Sequence, residues 1–308
     1  MDLPRLKNME LTMDGVKFGR LTFIQGQKGG KYPFCNSLFI DDREKVIIDP
    51  GCGEKLLKKL DMRKEINIIV NSHYHEDHTS FNYLFPEAKL YVPKDEAPCF
   101  RSMEKLLDFY GFLGTNLEHA WRDIFVNHFH YSERIPDLEF RDGDLLNFGD
   151  TTLQIIHTPG HTIGHSSFFF PEEKVLFMGD LDLTAFGPWY GDRVSDIDQT
   201  IVSLHKLLTI PARIFITSHE AGIIEGDITK RVETYLGIID QRENTLLNFL
   251  EKPRTLNEIV NQWIIYKKPR KPREFFEPGE RGMIKKHLDR LTKKGAVSIR
   301  EDGRYLLT

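Results

Sequence analysis

Along the first two thirds of the chain, short apolar runs alternate with segments whose apolar residues recur at helical spacing. The runs are rich in Val, Ile, Leu and Phe and predict buried strands at residues 45–49, 66–70, 152–156, 174–178 and 213–217. Residues 53–64 and 197–209 have the apolar spacing of helices between such strands. This alternation predicts an α/β domain built in layers.

Residues 94–135 interrupt the alternation with an aromatic-rich stretch. Its aromatic residues recur mostly at helical spacing, which favours a helical insertion that packs on the core. A second interpretation, compatible with the first, is that part of this insertion covers a substrate pocket.

The pattern changes again near residue 227, where long helical segments replace the alternation. Residues 228–250 predict one helix, and Thr255 with Glu258 matches a capping box at the start of a short one. Residues 278–294 predict a further helix, which ends at a glycine.

A connector rich in Lys, Pro and Arg, residues 262–276, precedes this last helix, and two short strands flank Asp302-Gly303 after it. Helices followed by a β-hairpin are typical of a winged helix. We therefore predict a small winged-helix-like domain at residues 227–308 behind a catalytic domain at residues 1–226.

The composition is that of a globular protein. The chain has 308 residues, of which 40% are hydrophobic and 29% charged, and this excludes disorder along the whole chain. No apolar run approaches the roughly 18 residues that cross a bilayer, and the N-terminus has no apolar signal core. Cys35, Cys52 and Cys99 lack metal-ligand spacing and indicate reduced thiols. We expect a cytoplasmic protein with no membrane partner, and the sequence leaves a homodimer open.

The net charge of -4 is unevenly distributed. Residues 251–308 contain 15 Lys and Arg against 8 Asp and Glu, a local charge of +7, whereas residues 1–250 carry -11. A basic segment on an acidic body suggests that the two parts meet different partners.

A dense group of metal-ligand side chains follows the strand at residues 66–70. The segment Asn-Ser-His-Tyr-His-Glu-Asp-His contains His73, His75, Asp77 and His78. Ligands of α/β sheets bind at the carboxyl ends of strands, where this segment lies. Imidazole and carboxylate groups are ligands for zinc, iron and manganese. The spacing therefore predicts a metal site.

Further candidate ligands follow three other predicted strands. His161 lies in Thr-Pro-Gly-His-Thr-Ile-Gly-His, Asp180 in Met-Gly-Asp, and His219 in Thr-Ser-His-Glu. Together with the cluster they make five histidines and two aspartates, enough for two metal ions that share one carboxylate. We expect two divalent ions, zinc first, with iron or manganese as alternatives.

These motifs, together with Asp49 in Ile-Asp-Pro-Gly, resemble those of the metallo-β-lactamase superfamily over roughly residues 10–226. The resemblance implies a four-layered αβ/βα sandwich. It also implies that one metal takes His73, His75 and His161, and that the second takes Asp77, His78 and His219. Asp180 would bridge both metals with a water or hydroxide, and Asp49 would hold the cluster loop.

The resemblance also narrows the chemistry. The oxygen-reducing branch of the family has Glu at the position of His75, and the commonest zinc β-lactamases have Cys at that of Asp180, so both activities are disfavoured. What is implied is hydrolysis of an ester-like bond by the metal-bridging hydroxide, with Asp77 and Asp180 as catalytic residues that orient the nucleophile and manage its proton.

Three features bear on the substrate and favour a thioester or other small ester. The segment 158–165 resembles the third motif of glyoxalase II-like thioester hydrolases, with His165 either supporting the ligands from behind or simply packed in the core. Trp189 and Tyr190, after Asp180, are candidates to contact an aromatic or pantetheine-like acyl group, although a packed turn explains them equally well. The acidic body disfavours a long polyanion.

The alternative function is a single-strand RNA or DNA endonuclease that uses the same metal site. The C-terminal segment resembles the winged helix of some family members with that activity. Its basic side chains could then grip phosphates: Lys267, Lys268, Arg270, Lys271, Arg273, Lys285, Lys286, Arg290, Lys293 and Lys294. We favour instead a solvated basic face, or a domain that docks on the catalytic body and shapes its pocket, because few aromatic residues interleave with these charges.

Overall fold

The apolar runs form inner strands of two β-sheets in the computed structural model, which describes residues 10–12, 15–220 and 222–308. In the described part of the chain the first sheet has eight strands, ordered along the sheet as along the chain. They are β1 (Glu10–Thr12), β2 (Gly15–Phe18), β3 (Leu21–Ile24), β4 (Ser37–Asp41), β5 (Lys45–Ile48), β6 (Ile68–Val70), β7 (Lys89–Pro93) and β8 (Leu138–Phe140). Neighbours from β1 to β5 are antiparallel, and those from β5 to β8 are parallel.

The second sheet follows a different order, β14-β13-β12-β11-β10-β9, over the described residues. Its strands, and those of a small third sheet, are β9 (Leu145–Asn147), β10 (Thr152–His157), β11 (Ser166–Phe170), β12 (Val175–Phe177), β13 (Ile214–Ile216), β14 (Ile223–Glu225), β15 (Val297–Ile299) and β16 (Tyr305–Leu307). Within the second sheet, β12 and β13 are parallel and the other pairs are antiparallel. The five predicted strands are thus β5, β6, β10, β12 and β13.

Helices cover the outer face of each large sheet. The α-helices in the described residues are α1 (Gln27–Gly30), α2 (Glu54–Lys64), α3 (Glu76–Thr79), α4 (Ala97–Arg101), α5 (Met103–Tyr110), α6 (Glu118–Asn127), α7 (Ile197–Leu207), α8 (Thr229–Phe249), α9 (Leu256–Val260) and α10 (Arg273–Lys293). None of the helices in these ranges is both long and apolar enough to cross a membrane.

Alternation along the strands divides the core into layers. Side chains of successive strand residues point to opposite faces, so Ile48 and Phe168 fill the space between the two sheets. Ile47 faces α2, α4, α5 and α6 on one outer side, and Phe169 faces α7 and α8 on the other. The predicted four-layered α/β sandwich is therefore confirmed.

The aromatic insertion at residues 94–135 contains α4, α5 and α6. Phe100, Trp121 and Phe125 join the core cluster on the outer face of the first sheet, as a packed helical insertion requires. Tyr110 and Trp121 also line the large cavity described below. The segment is therefore helical and packed on the core, and its role as the cover of a substrate pocket stays a prediction.

The C-terminal segment shares a helix with the two-sheet sandwich. Val232 of α8 packs in the core beside the second sheet, whereas Leu246 of the same helix packs with Leu288 of α10. The capping box of Thr255 and Glu258 is present at the start of α9. Three helices and the β15–β16 hairpin occur in the predicted order, and the assignment of a winged helix stays a prediction.

The start of α10 differs from the predicted start at residue 278. The helix begins at Arg273, and Pro278 therefore lies inside it. The first turn forms earlier, since the backbone N–H groups of Phe275 and Phe276 donate to the carbonyl oxygen of Pro272 at 3.2 and 3.3 Å. This turn brings Phe275 against the aromatic insertion.

A glycine lets α10 lie against the loop at residues 186–192. A Cβ atom at Gly282 would stand 2.0 Å from the carbonyl oxygen of Gly191, a distance that no real Cβ adopts. The backbone of α10 can therefore approach the loop at residues 186–192 only because residue 282 has no side chain.

Candidate metal centre

The predicted metal ligands meet at one edge of the sandwich, where the strands that carry them end. Asp49 follows β5, the cluster at residues 73–78 follows β6, His161 lies between β10 and β11, Asp180 follows β12, and His219 follows β13. The parallel pairs β5–β6 and β12–β13 point their carboxyl ends to the same side. The loop at each strand end is short, so each side chain enters the same crevice.

The first group of converging side chains consists of His73, His75, His161 and Asp180. Nε2 of His161 lies 2.9 Å from Nδ1 of His75 and 3.3 Å from Oδ2 of Asp180. Nε2 of His73 lies 3.8 Å from the same Asp180 oxygen. Four ligands bound tetrahedrally at about 2.1 Å would lie roughly 3.4 Å apart, so the spacing suits a single small cation.

The second group consists of Asp77, His78 and His219. Nε2 of His219 lies 3.4 Å from Oδ2 of Asp77 and 3.4 Å from Oδ2 of Asp180. Nε2 of His78 lies 2.9 Å from Oδ1 of Asp180. The carboxylate of Asp180 therefore faces both groups, where the resemblance places a bridging ligand, and the bridging itself stays a prediction.

Asp49 orients two of the five imidazoles. Its buried carboxylate accepts hydrogen bonds from Nδ1 of His78 at 2.9 Å and from Oγ of Ser72 at 2.6 Å. Since the Ser72 hydroxyl is used as a donor there, Nδ1 of His73, 2.9 Å away, donates to the Ser72 oxygen. Asp49 has a left-handed φ of 47°, a conformation that aspartate adopts more readily than most residues.

The other three imidazoles are held in the same way. The acceptors are a carboxylate and two backbone carbonyl oxygens, so the facing ring nitrogen must carry the proton. His75 Nε2 donates to Asp192 Oδ2 at 2.7 Å, His161 Nδ1 to the Trp189 carbonyl at 3.0 Å, and His219 Nδ1 to the Gly30 carbonyl at 2.7 Å. Each imidazole thus points its second nitrogen, the one left to bind a metal, into the crevice.

His165 lies behind Asp180 rather than among the converging donors. Its Nε2 accepts a hydrogen bond from the backbone N–H of Asp180 at 3.1 Å, and its Nδ1 lies 3.1 Å from the carbonyl oxygen of Thr158. Burial holds the pKa of His165 well below its usual value, which keeps the ring neutral. The ring therefore fixes the backbone that carries the shared carboxylate.

The chemistry of the donors fits divalent cations. Burial raises the pKa of Asp180, but the facing imidazoles of His78 and His219 outweigh it and hold that pKa well below its usual range. Nε2 of His73 is buried, has no hydrogen-bond partner among the described residues, and belongs to a ring whose pKa burial keeps low. Such an atom costs free energy unless a cation binds it.

A family model for the metallo-beta-lactamase superfamily matches residues 31–219. This range contains the seven candidate ligands and the residues that orient them, apart from Gly30, whose carbonyl oxygen accepts from His219. The chain belongs to this superfamily. The match covers more than half of the chain and supports the predicted class of metal-dependent hydrolase.

Curated relatives of this superfamily member include two enzymes named hydroxyacylglutathione hydrolase. The enzyme from Francisella tularensis subsp. novicida is 25% identical over 175 residues, which are 55% of this chain and 56% of that protein. The enzyme from Rhodospirillum rubrum is 28% identical over 172 residues, 54% of each protein. The chain spans about half the length of the curated relatives it matches.

Two solved structures extend the likeness in fold to most of the chain. A metallo-beta-lactamase family protein from Thermus thermophilus is 22% identical, with a TM-score of 0.72 over 94% of this chain and 99% of that one. A beta-lactamase domain protein from Burkholderia ambifaria is 17% identical, with a TM-score of 0.70 over 97% of this chain and 95% of that one. This coverage is greater than that of the family model and includes much of the C-terminal segment.

A cavity of about 430 Å³ opens above the donors. Trp189 lines it, with its ring 5.4 Å from that of His75. The prediction that Tyr190 lines it is wrong, because Tyr190 is fully buried and its hydroxyl lies 2.8 Å from Nε2 of His287 and 2.9 Å from Arg242. Successive residues of this loop point in opposite directions, one into the cavity and the next into the core with α8 and α10.

Two acidic residues behind the ligands escaped the sequence analysis. Asp192 accepts hydrogen bonds from His75 and from the Tyr74 hydroxyl, and its side chain is 1% exposed. Glu96 accepts from the Thr162 hydroxyl and from the Gly164 N–H at 2.8 Å, and so holds the loop that carries His161. Asp192 lies 117 residues from His75 and Glu96 lies 66 residues from Thr162, so no local spacing links them to the site.

Proposed function

We propose that this protein hydrolyses a thioester or other small ester and holds two divalent ions at the site just described. His73, His75 and His161 would hold one ion, Asp77, His78 and His219 the other, with Asp180 between them. Zinc is the first candidate, with iron or manganese as alternatives. The observation that carries the proposal is that all five imidazoles donate from one nitrogen and turn the other into one crevice.

When bound, such ions supply Lewis acidity, which polarises a carbonyl oxygen and makes water easier to deprotonate. The protein orients each ligand through hydrogen bonds and places carboxylate oxygens beside the carbonyl group of the substrate. Asp77 and Asp180 line the cavity floor, where their oxygens can accept a hydrogen bond from water and direct its lone pair. Because its pKa is low, Asp180 stays ionised at neutral pH.

The relatives support a thioester substrate, since they are named for hydrolysis of acylglutathiones. The excess of acidic residues around the cavity supports a small substrate over a polyanion. The acidic lining residues are Glu76, Asp77, Asp180, Asp182, Asp192 and Glu220. Lys31 is the one Lys or Arg among the described residues that line the cavity. This balance disfavours a chain of phosphates.

Basic side chains of α10 support the same choice. The Lys286 ammonium donates to the carbonyl oxygen of Arg193 at 2.7 Å. Arg290 donates to Asp198 at 2.7 Å and to Glu243 at 2.5 Å. These cations are bound within the chain, which supports a C-terminal segment that docks on the catalytic part and shapes the cavity rather than one that grips nucleic acid.

The test is a paired activity assay on protein of measured metal content. Acyl-glutathione and acyl-CoA thioesters would be offered in one arm and single-stranded RNA in the other, each at low and moderate salt. We expect thioester turnover that disappears in His75→Ala, with RNA left intact. RNA cleavage that is lost in the same variant and weakened by salt would replace the proposed substrate class with nucleic acid.

A further inference from the structure

Aromatic rings form a continuous wall that starts at a proposed metal ligand and leads away from it. The ring of Tyr110 stacks on that of His75, with centroids 5.4 Å apart. Phe112 lies 5.7 Å from Tyr110, and Trp121 lies 4.6 Å from Phe112. Phe275 continues the wall at 5.2 Å from Trp121. All five residues line the cavity.

The wall continues with aromatic residues of the C-terminal segment and ends at the loop after Asp180. The ring of Phe276 lies 5.2 Å from that of Phe275, Tyr266 lies 5.7 Å from Phe276, and Phe186 lies 5.7 Å from Tyr266. Three parts of the fold that are distant in sequence therefore enclose one space. We call this space, bounded by the rings from Tyr110 to Phe186, the aromatic box.

The two tyrosine hydroxyls at the His75 end of the box are already hydrogen-bonded. The Tyr32 hydroxyl, at the edge of the box, donates to Glu76 at 2.7 Å, and the Tyr110 hydroxyl donates to the same carboxylate. A group placed in the box therefore meets ring faces and edges, which favour apolar surface.

The charges around the box exclude an acidic occupant. The acids Glu76 and Asp192 stand beside it, and Lys31 is the single basic residue in the described lining. A carboxylate inside the box would be desolvated next to like charges, at a large cost in free energy. An uncharged apolar group loses nothing there and gains the burial of its surface.

We propose that the aromatic box selects the acyl part of the substrate, and that this part is a bulky apolar group, an aryl or medium-length alkyl chain. Phe275 of α10 is its specificity-determining wall. The inference rests on the proposed function. In hydrolysis the bond from the acyl carbon to sulfur breaks, that carbon bonds to the oxygen of water, and a carboxylic acid and a free thiol leave. A cavity of about 430 Å³ is within the range of small-molecule sites.

The experiment measures kcat/KM of the metal-loaded full chain for N-acetylcysteamine thioesters, whose thiol part is uncharged. The acyl groups run from acetyl to octanoyl, with benzoyl and succinyl added. We expect a rise of about fourfold per methylene until the box is full, since burying a methylene favours binding by that factor. We expect benzoyl to be a good substrate and succinyl a poor one, because succinyl carries a carboxylate.

Phe275→Ala tests the wall directly. Turnover of octanoyl and benzoyl thioesters should fall about 10- to 100-fold, the value of one buried aromatic side chain, while turnover of the acetyl thioester should stay within about twofold. Phe275→Leu should retain most of the preference. Tyr305→Ala, which removes an aromatic ring from β16 outside the cavity, is the matched control and should change neither.

Failure of this inference differs from failure of the proposed function. A flat acyl profile, a preference for succinyl, or equal losses for all acyl groups in Phe275→Ala would overturn the aromatic box as the acyl site. If no thioester is hydrolysed, the proposed function fails, and calorimetric titration with acetate, octanoate and benzoate then decides the box. Tighter binding of octanoate and benzoate that Phe275→Ala abolishes would uphold it, and equal binding of all three would overturn it.

Discussion

The bond between Asp192 and His75 gives the sharpest test of how the site is built. Oδ2 of Asp192 accepts from His75 Nε2 at 2.7 Å, and so fixes the ring with Nδ1 in the crevice. Removing a carboxylate that orients a ligating histidine costs typically 10- to 100-fold in metal affinity. This corresponds to about 1.4–2.7 kcal/mol, at 1.36 kcal/mol per factor of ten.

Asp192→Ala should therefore weaken one ion and spare the other. His78 and His219 are oriented by Asp49 and by the Gly30 carbonyl, neither of which touches Asp192. Protein dialysed against a series of chelator concentrations and then analysed for bound metal should lose one equivalent at 10- to 100-fold lower chelator than the wild type. The second equivalent should leave at an unchanged concentration.

The matched control is Tyr74→Phe, which removes the other donor to Asp192 and leaves its bond to His75 in place. We expect less than a threefold change in that variant. Equal weakening of both ions in Asp192→Ala, or no weakening of either, would refute the reasoning that this carboxylate acts through His75.

Four further predictions follow from the geometry. Asp180→Ala should remove both ions and all turnover, because the Asp180 carboxylate faces both groups of ligands. Metal analysis and an activity assay measure this, and retention of two full equivalents of metal would contradict it. Burial raises the pKa of Glu243, but bonds from His287 and Arg290 outweigh it and lower that pKa to about 2. The ionised carboxylate contributes at most about 3 kcal/mol to the free energy of unfolding above pH ~4.3, and this contribution is lost as pH falls through 2. Glu243→Gln should therefore make the free energy of unfolding in urea depend less on pH over this range. An unchanged pH dependence in the variant would contradict the prediction. Thr255→Ala should lower the free energy of unfolding by about 1 kcal/mol through loss of the capping box, with no change in metal content. Charge reversal at exposed Lys285 should leave turnover of small esters nearly unchanged, and a large loss would place this face in the site.

Local chemistry in the sequence determined the strands, most helices and the candidate ligands. Short apolar runs bounded by turn residues favour buried strands of a layered sheet, and the carboxyl ends of these strands predict where His73, His161, Asp180 and His219 lie. The predicted start of α10 at residue 278 is too late, because Phe275 packs against Trp121 of the insertion and this tertiary contact leaves no local signal in the sequence.

Only the tertiary structure decided which residues orient the ligands and which residues line the cavity. Asp192 holds His75 across 117 residues, and Tyr190 turns away from the cavity into a bond with His287, 97 residues away. Phe275 closes the cavity because Gly282 lets α10 approach the loop at residues 186–192. Hydrogen bonds and ring contacts act over a few ångströms of space, so partners that are distant in sequence leave no periodicity or spacing in the chain.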